Sequence, residues 1–216
     1  MKFSDITEKP IYCKSCMEEM HLSPVRVLIE NKPLLCDECI SQLKTKLEVK
    51  NINGIKILFL SEYDGIMKTW LMNFKEYGDI ELAPCFLSLY LPVVKSLFAG
   101  YIFVPLPSSK ARIDKRGFAH LPEILKSSGL KYMDILRKSS NEEQKNYKGS
   151  KRNLAKNIYV ESSMKSLQGK NIVLFDDVMT SGATFEESYH VLLSLKPKKV
   201  RGLILMDNYG HGKIEM

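Results

Sequence analysis

VLFDDVMTSGAT, residues 173–184, is the stretch on which the reading of this chain turns. Its first residues extend an apolar run from Asn171 to Phe175, the pattern of a strand buried on both faces. Two carboxylates, Asp176 and Asp177, follow at the strand's C-terminal end. The small residues Thr180, Ser181, Gly182, Ala183 and Thr184 then lead into a helix expected from about Ala183 to Leu195. Open α/β sheets bind their ligands at the carboxyl ends of strands. Small side chains let backbone N–H groups approach an anion, and the helix dipole favours negative charge there. One half of the stretch therefore suits a phosphate, with the hydroxyls of Thr180, Ser181 and Thr184 as further donors. The acidic half suits sugar hydroxyls or a hydrated Mg²⁺. A ribose carrying a 5′-phosphate satisfies both. No GxxxxGK[ST] motif occurs, so this is not a Walker loop.

Outward from this stretch, apolar strands alternate with amphipathic segments. Strands are expected at Ile55–Leu60, Tyr101–Val104 and Val200–Met206. Helices are expected at Asp64–Phe74, Ile80–Tyr90 and Gly117–Leu125. The pattern predicts an α/β domain with a parallel sheet covered by helices on both sides. The chain has 216 residues, 44% hydrophobic and 26% charged, which argues against a disordered or fibrous protein. Its longest apolar run, Leu82–Gly100, carries Pro84, Pro92 and Lys95 and reads as a buried helix, not a membrane span. The first ten residues lack the apolar core of a signal peptide, so a cytoplasmic protein without membrane insertion is expected. Net charge is +7; residues 105–157 hold 13 Lys/Arg against 5 Asp/Glu, a surplus of +8, so the remainder sums to −1. Such a concentrated basic field suits a polyanion, whether nucleic acid or diphosphate.

Four of the five cysteines form two CxxC pairs, Cys13/Cys16 and Cys36/Cys39, with 19 residues between the pairs. That spacing matches a structural four-thiolate zinc site, with no position left open for water. Lys14 beside Cys13 would favour the thiolate. Val25–Ile29 reads as a short strand between the knuckles. Residues 1–48 are thus expected as a zinc-ribbon module stabilised largely by its metal, and residues 49–216 as the α/β domain. Cys85 reads as a buried packing residue.

The 173–184 stretch resembles the signature by which type I phosphoribosyltransferases bind 5-phosphoribosyl 1-pyrophosphate (PRPP). Around it, Arg112, Arg116-Gly117-Phe118 and His120 resemble the R-x-x-x-R-G-F-N-x element of the ComF family, with Ala119 where that family has Asn. Gln144, Arg152 and Asn157 resemble its Q…R…N element, and Tyr63-Asp64-Gly65…Lys68 with Phe74-Lys75 its Y-x-G…K…F-K element. A preceding four-cysteine module is a further family trait. The resemblance implies a Rossmann-like phosphoribosyltransferase domain that binds PRPP with Mg²⁺ and acts in natural transformation. There it would handle incoming single-stranded DNA beside a competence helicase and recombination mediators. It further implies that Asp176 and Asp177 meet the ribose hydroxyls, and that Thr180, Ser181, Gly182, Ala183 and Thr184 hold the 5′-phosphate. Ser108, Ser109 and Lys110 would lie against the pyrophosphate, with Arg112 and Arg116 closing over it.

Lys75, Lys148, Lys151 and Arg152 are candidate phosphate or DNA contacts; Lys75 reads equally as an exposed lysine at a helix end. His120 reads as an ordinary satisfied histidine sooner than as an acid–base group. Two classes stay open: an enzyme transferring a phosphoribosyl group to an acceptor the residues do not specify, and a PRPP-sensing adaptor that binds nucleic acid without catalysis.

Overall fold

The computed structural model describes residues 10–21, 26, 33–139, 157–161 and 167–210. Its main sheet has five strands: β1 Thr45–Ile52, β2 Ile55–Glu62, β3 Ile102–Pro105, β6 Asn171–Met179 and β7 Lys199–Asp207. Their spatial order is β1-β2-β7-β6-β3. All neighbours run parallel except β1 and β2. The sheet is therefore mixed but mostly parallel, where a purely parallel one was expected.

The antiparallel edge comes from Asn53-Gly54, both at positive φ, in a two-residue turn that pairs Ile52 with Ile55. Asn-Gly is the sequence that such a mirror-image turn selects. β1 also spans the division expected between residues 48 and 49. β4 Leu136–Lys138 and β5 Ile158–Val160 form a separate two-stranded ribbon.

A short helix α1, Asp37–Ser41, follows the third cysteine. Helix α2, Gly65–Glu76, begins where the Asp64 carboxylate accepts the Gly65 N–H at 2.7 Å. Its residues Met67, Trp70, Leu71 and Phe74 are buried at helical spacing. The helix expected over Ile80–Tyr90 is instead a 3-10 turn at Ile80–Leu82 and a four-residue helix α3, Cys85–Ser88; α4 is Leu91–Leu97. Pro84 and Pro92 punctuate this run, as ring closure at nitrogen removes a donor. No single helix among the described residues is long and apolar enough to cross a membrane.

The helix expected over Gly117–Leu125 is α6, His120–Ser127, and a further helix not expected from the sequence, α5, Lys110–Arg116, precedes it. Gly117 lies at φ +85° and closes α5 through an N–H bond to the Ile113 carbonyl, which separates the two. Helix α7, Ala183–Leu193, follows β6 and packs on β6 and β5, while α6 packs on β3 and β6. Within the expected strand Val25–Ile29 only Arg26 is described, and it is helical.

The fold opens its cleft by stopping β3 early. β3 ends at Pro105 opposite Phe175, and the Leu106 N–H makes one more bond to the Phe175 carbonyl at 2.9 Å. β6 continues to Met179 with only β7 beside it. Asp176 and Asp177 therefore stand on a strand whose other edge has been vacated.

Candidate functional site

The strand ends and two helix starts converge on a cavity of about 280 Å³. Its lining includes Ser108, Ser109 and Arg112 after β3, Asp176 and Asp177 on β6, Thr184 after it, Lys75 from α2, His120 from α6 and Lys138 from β4. An adjoining cavity of about 340 Å³ shares Lys75, Ser108, Arg112 and His120 and adds Arg116, Lys115 and Glu76. The structure thus brings together six of the twelve residues expected around PRPP in one cavity and Arg116 in the next. Lys110 starts α5 and is exposed. Thr180 to Ala183 form the turn into α7 without lining either cavity. Lys148, Lys151 and Arg152 lie outside the described residues.

The two carboxylates are not equivalent. Asp177 is buried, and its Oδ2 is shared by the Lys75 ammonium and by His120 Nε2 at 2.6 Å. Burial alone would raise its pKa, but the Lys75 charge and the His120 bond outweigh it and hold the carboxyl well below the ordinary range. Asp176 is half-buried, and its Oδ1 accepts the Asp177 N–H at 2.9 Å. Desolvation, added to the nearby Asp177 charge, pushes its pKa well above the usual value. One acid is locked into an ion pair; the other makes none among the described residues and lines the cleft.

Lys75 thus sits at a helix end as expected but is a quarter exposed and engaged inward. His120, read from sequence as ordinary, is 6% exposed and bonds on both ring nitrogens: Nε2 to Asp177, and Nδ1 to Ser108 Oγ at 3.3 Å. Arg116 is anchored by Nε donating to the Lys75 carbonyl at 3.0 Å and by its guanidinium 5.9 Å from the Phe118 ring centre. Its Nη1 is buried with no hydrogen-bond partner among the described residues. An orphaned guanidinium donor bordering a lysine- and arginine-walled cavity is the mark of a place for an anion.

Residues 180–182 turn from β6 into α7. Gly182, at φ +75°, precedes α7 and has no side chain to cap it. The Tyr209 ring lies over it, 3.4 Å from where a Cβ would stand. Ser181 Oγ accepts the Ala183 N–H at 3.4 Å, and the start of a helix favours negative charge.

The four cysteines converge as their spacing predicts. All four sulfurs lie within 4.8 Å of one another, with Cys13–Cys39 at 3.8 Å and Cys16–Cys36 at 3.7 Å. Zn–S bonds of about 2.3 Å give a tetrahedron with S···S edges of about 3.8 Å, whereas a disulfide brings sulfurs to about 2.05 Å. The residues therefore fit a tetrahedral metal. The Cys13 thiol is brought down to about 7 by backbone N–H groups that outweigh its burial, which favours a ligating thiolate. Lys14, expected to assist it, pairs instead with Glu81. Cys85 is buried, as expected of a packing residue.

Comparison with known proteins agrees with this geometry. Residues 113–213 match the phosphoribosyl transferase domain. The chain is 26% identical over 194 residues to competence protein ComFC of Bacillus subtilis, covering 86% of this chain and 78% of that protein. It is 27% identical over 181 residues to competence protein ComFC of Streptococcus pneumoniae, covering 79% and 80%. A hypoxanthine-guanine phosphoribosyltransferase from Bacillus anthracis aligns over 63% of this chain and 75% of its own, at 16% identity and a TM-score of 0.41. With a four-cysteine cluster ahead of a mostly parallel sheet, and its likeness to these competence proteins running through most of its length, the chain is similar to the ComFC competence proteins and carries a phosphoribosyl transferase domain match.

Proposed function

We propose that this protein binds PRPP, carried with Mg²⁺ as the substrate complex, and serves competence by coupling that site to the handling of single-stranded DNA. The observation that carries the reading is the cleft past Phe175. There Asp176, in no ion pair among the described residues, shares a cavity with Lys75 and Arg112 near the start of α7, and Arg116 lines the adjoining cavity. Asp176 and Asp177 present acceptors to the ribose hydroxyls, and residues 180–184 hold the 5′-phosphate. Ser108, Ser109, Lys110, Arg112 and Arg116 take the diphosphate, Arg116 through its unpartnered Nη1.

If an acceptor enters, the reaction is displacement of pyrophosphate at ribose C1 through an oxocarbenium-like state. Its chief needs are a neutralised leaving group and charge stabilisation. The arginines and Lys110 provide the first; the Asp176–Asp177 pair provides the second. The cysteine cluster holds a structural zinc, in a module that meets the α/β domain near residue 48. The basic surplus across residues 105–157 supports a phosphate-backbone surface, and the likeness to competence proteins supports a role beside other DNA-handling proteins.

Thermal unfolding with and without PRPP·Mg²⁺ tests the site. The ligand is expected to raise the midpoint, and Asp176→Asn with Asp177→Asn to abolish the rise. A native protein that shows no rise contradicts the reading. Pyrophosphate release that requires Mg²⁺ and vanishes in Asp177→Asn identifies the enzyme; salt-dependent single-strand binding without release identifies the adaptor.

A further inference from the structure

His120 carries an inference through the hydrogens that its two contacts require. Its Nε2 lies 2.6 Å from Oδ2 of Asp177, a carboxylate kept ionised by Lys75. Two lone pairs cannot face each other at that separation, so Nε2 bears a hydrogen and donates. In a neutral ring Nδ1 is then bare, and Ser108 Oγ, 3.3 Å away, must donate to it. A hydroxyl has one proton. While it is spent on Nδ1, Ser108 offers the cavity only lone pairs, which repel an anion.

An arriving phosphate oxygen therefore leaves two outcomes. Either Ser108 turns away and strands Nδ1 in a buried site, or Nδ1 gains a proton and donates to Oγ, freeing the Ser108 O–H for the anion. The second satisfies every group. We propose that His120 is a proton-coupled sensor of the anion at Ser108: occupancy there places one solvent proton on His120 Nδ1, and the resulting imidazolium donates to Asp177 and Ser108 together. No covalent bond other than that N–H forms. This rests on the reading of the cavity as a diphosphate site and adds its pH linkage.

The charges around the ring fit such a device. Asp177 on β6 favours the imidazolium, while Lys75 on α2 and Arg116 on α5 disfavour it. Arg112 and Lys138 reach the shared cavity from α5 and β4. With the ring buried, desolvation is the largest influence and draws its pKa below the usual value despite Asp177, so the empty site holds neutral imidazole. An anion offsets the repulsion from those cations and so shifts the balance toward the imidazolium.

The test is nitrogen NMR of the histidine rings in the full-length protein at pH 7.5, titrated with inorganic pyrophosphate without Mg²⁺, with His120 assigned by its loss in His120→Gln. The expected result is conversion of His120 from the Nε2–H tautomer to imidazolium as pyrophosphate saturates. Between pH 7 and 8 the native affinity is expected to fall by up to about tenfold more than that of His120→Gln, the limit for one linked proton. Ser108→Ala is expected to bind more weakly and leave His120 neutral. Pyrophosphate that binds while His120 keeps its neutral tautomer, or pH slopes that match in native and variant proteins, overturns the proton coupling alone. Pyrophosphate that fails to bind at all overturns the diphosphate reading, and the coupling with it.

Discussion

Asp176 and Asp177 are adjacent in sequence yet titrate in opposite directions, and each direction has a consequence. Asp177 is lowered by Lys75 and His120 against its burial, and Asp207 by Lys46 and Lys50 against its own. For a carboxyl with a depressed folded pKa, the stabilisation is full above the unfolded value of about 3.9 and is lost as pH falls through the folded value. Lys75→Met removes one partner of a mostly buried pair. It is expected to cost about 3 kcal/mol at neutral pH and to shift acid unfolding to higher pH, as urea titrations across pH 2–7 would reveal. Asp176 runs the other way: its raised pKa means that ionising it costs stability above the ordinary carboxylate range. Asp176→Asn is therefore expected to raise the unligated midpoint at pH 7.5 by on the order of a few °C, in calorimetry, while losing the response to PRPP·Mg²⁺. The acidic pair itself was legible in the sequence because it breaks the apolar run of residues 171–175, although β6 carries on through it to Met179. The partners were not: Lys75 lies 102 residues before Asp177 and His120 lies 57 before it, and no periodicity links side chains that only the sheet order brings together.

Helix α2 joins the four-cysteine cluster to the cavity. Trp70 Nε1 donates to Ser15 Oγ, inside the first CxxC knuckle, at 2.7 Å. One turn on, Phe74 meets Phe86 and Phe118 at 5.3 and 5.0 Å, and Lys75 follows at the cavity wall. Trp70 is the chain's one tryptophan and is 2% exposed, so its emission reports on this junction. Chelation of the metal is expected to redshift that emission and lower the melting midpoint of the whole α/β domain, because the knuckle forms part of the α2 packing surface. An unchanged spectrum after verified metal loss would show that α2 stands without it. Close packing elsewhere is as exacting: a Cβ at Gly202 in β7 would lie 2.7 Å from Phe185 and 2.9 Å from Ile57. Gly202→Ala is expected to destabilise by about 1–3 kcal/mol in denaturant titrations. At this scale the sequence yielded the apolar strands β2, β3, β6 and β7 and the amphipathic α2. β1 escaped because its residues are largely exposed and lack an apolar face, although Asn53-Gly54 was the hairpin signal that announces it. β4 and β5 are three residues each, too short for any period.

Across the whole molecule, the antiparallel β1–β2 edge, the four-cysteine cluster and the early stop of β3 combine to leave one end of the sheet open and positively walled. The fold class followed from the strand–acid–loop order and the alternation of apolar strands with amphipathic segments around it. The mixed sheet and the divided role of the two acids came from contacts across the sheet. Diffraction from crystals grown with PRPP and Mg²⁺ tests the central claim most directly. The account predicts the 5-phosphate density at the amides of residues 180–184, the ribose against Asp176 and the diphosphate between Ser108 and Arg116. Density absent from that cleft, or the ligand bound elsewhere with Asp176 turned away, would contradict it.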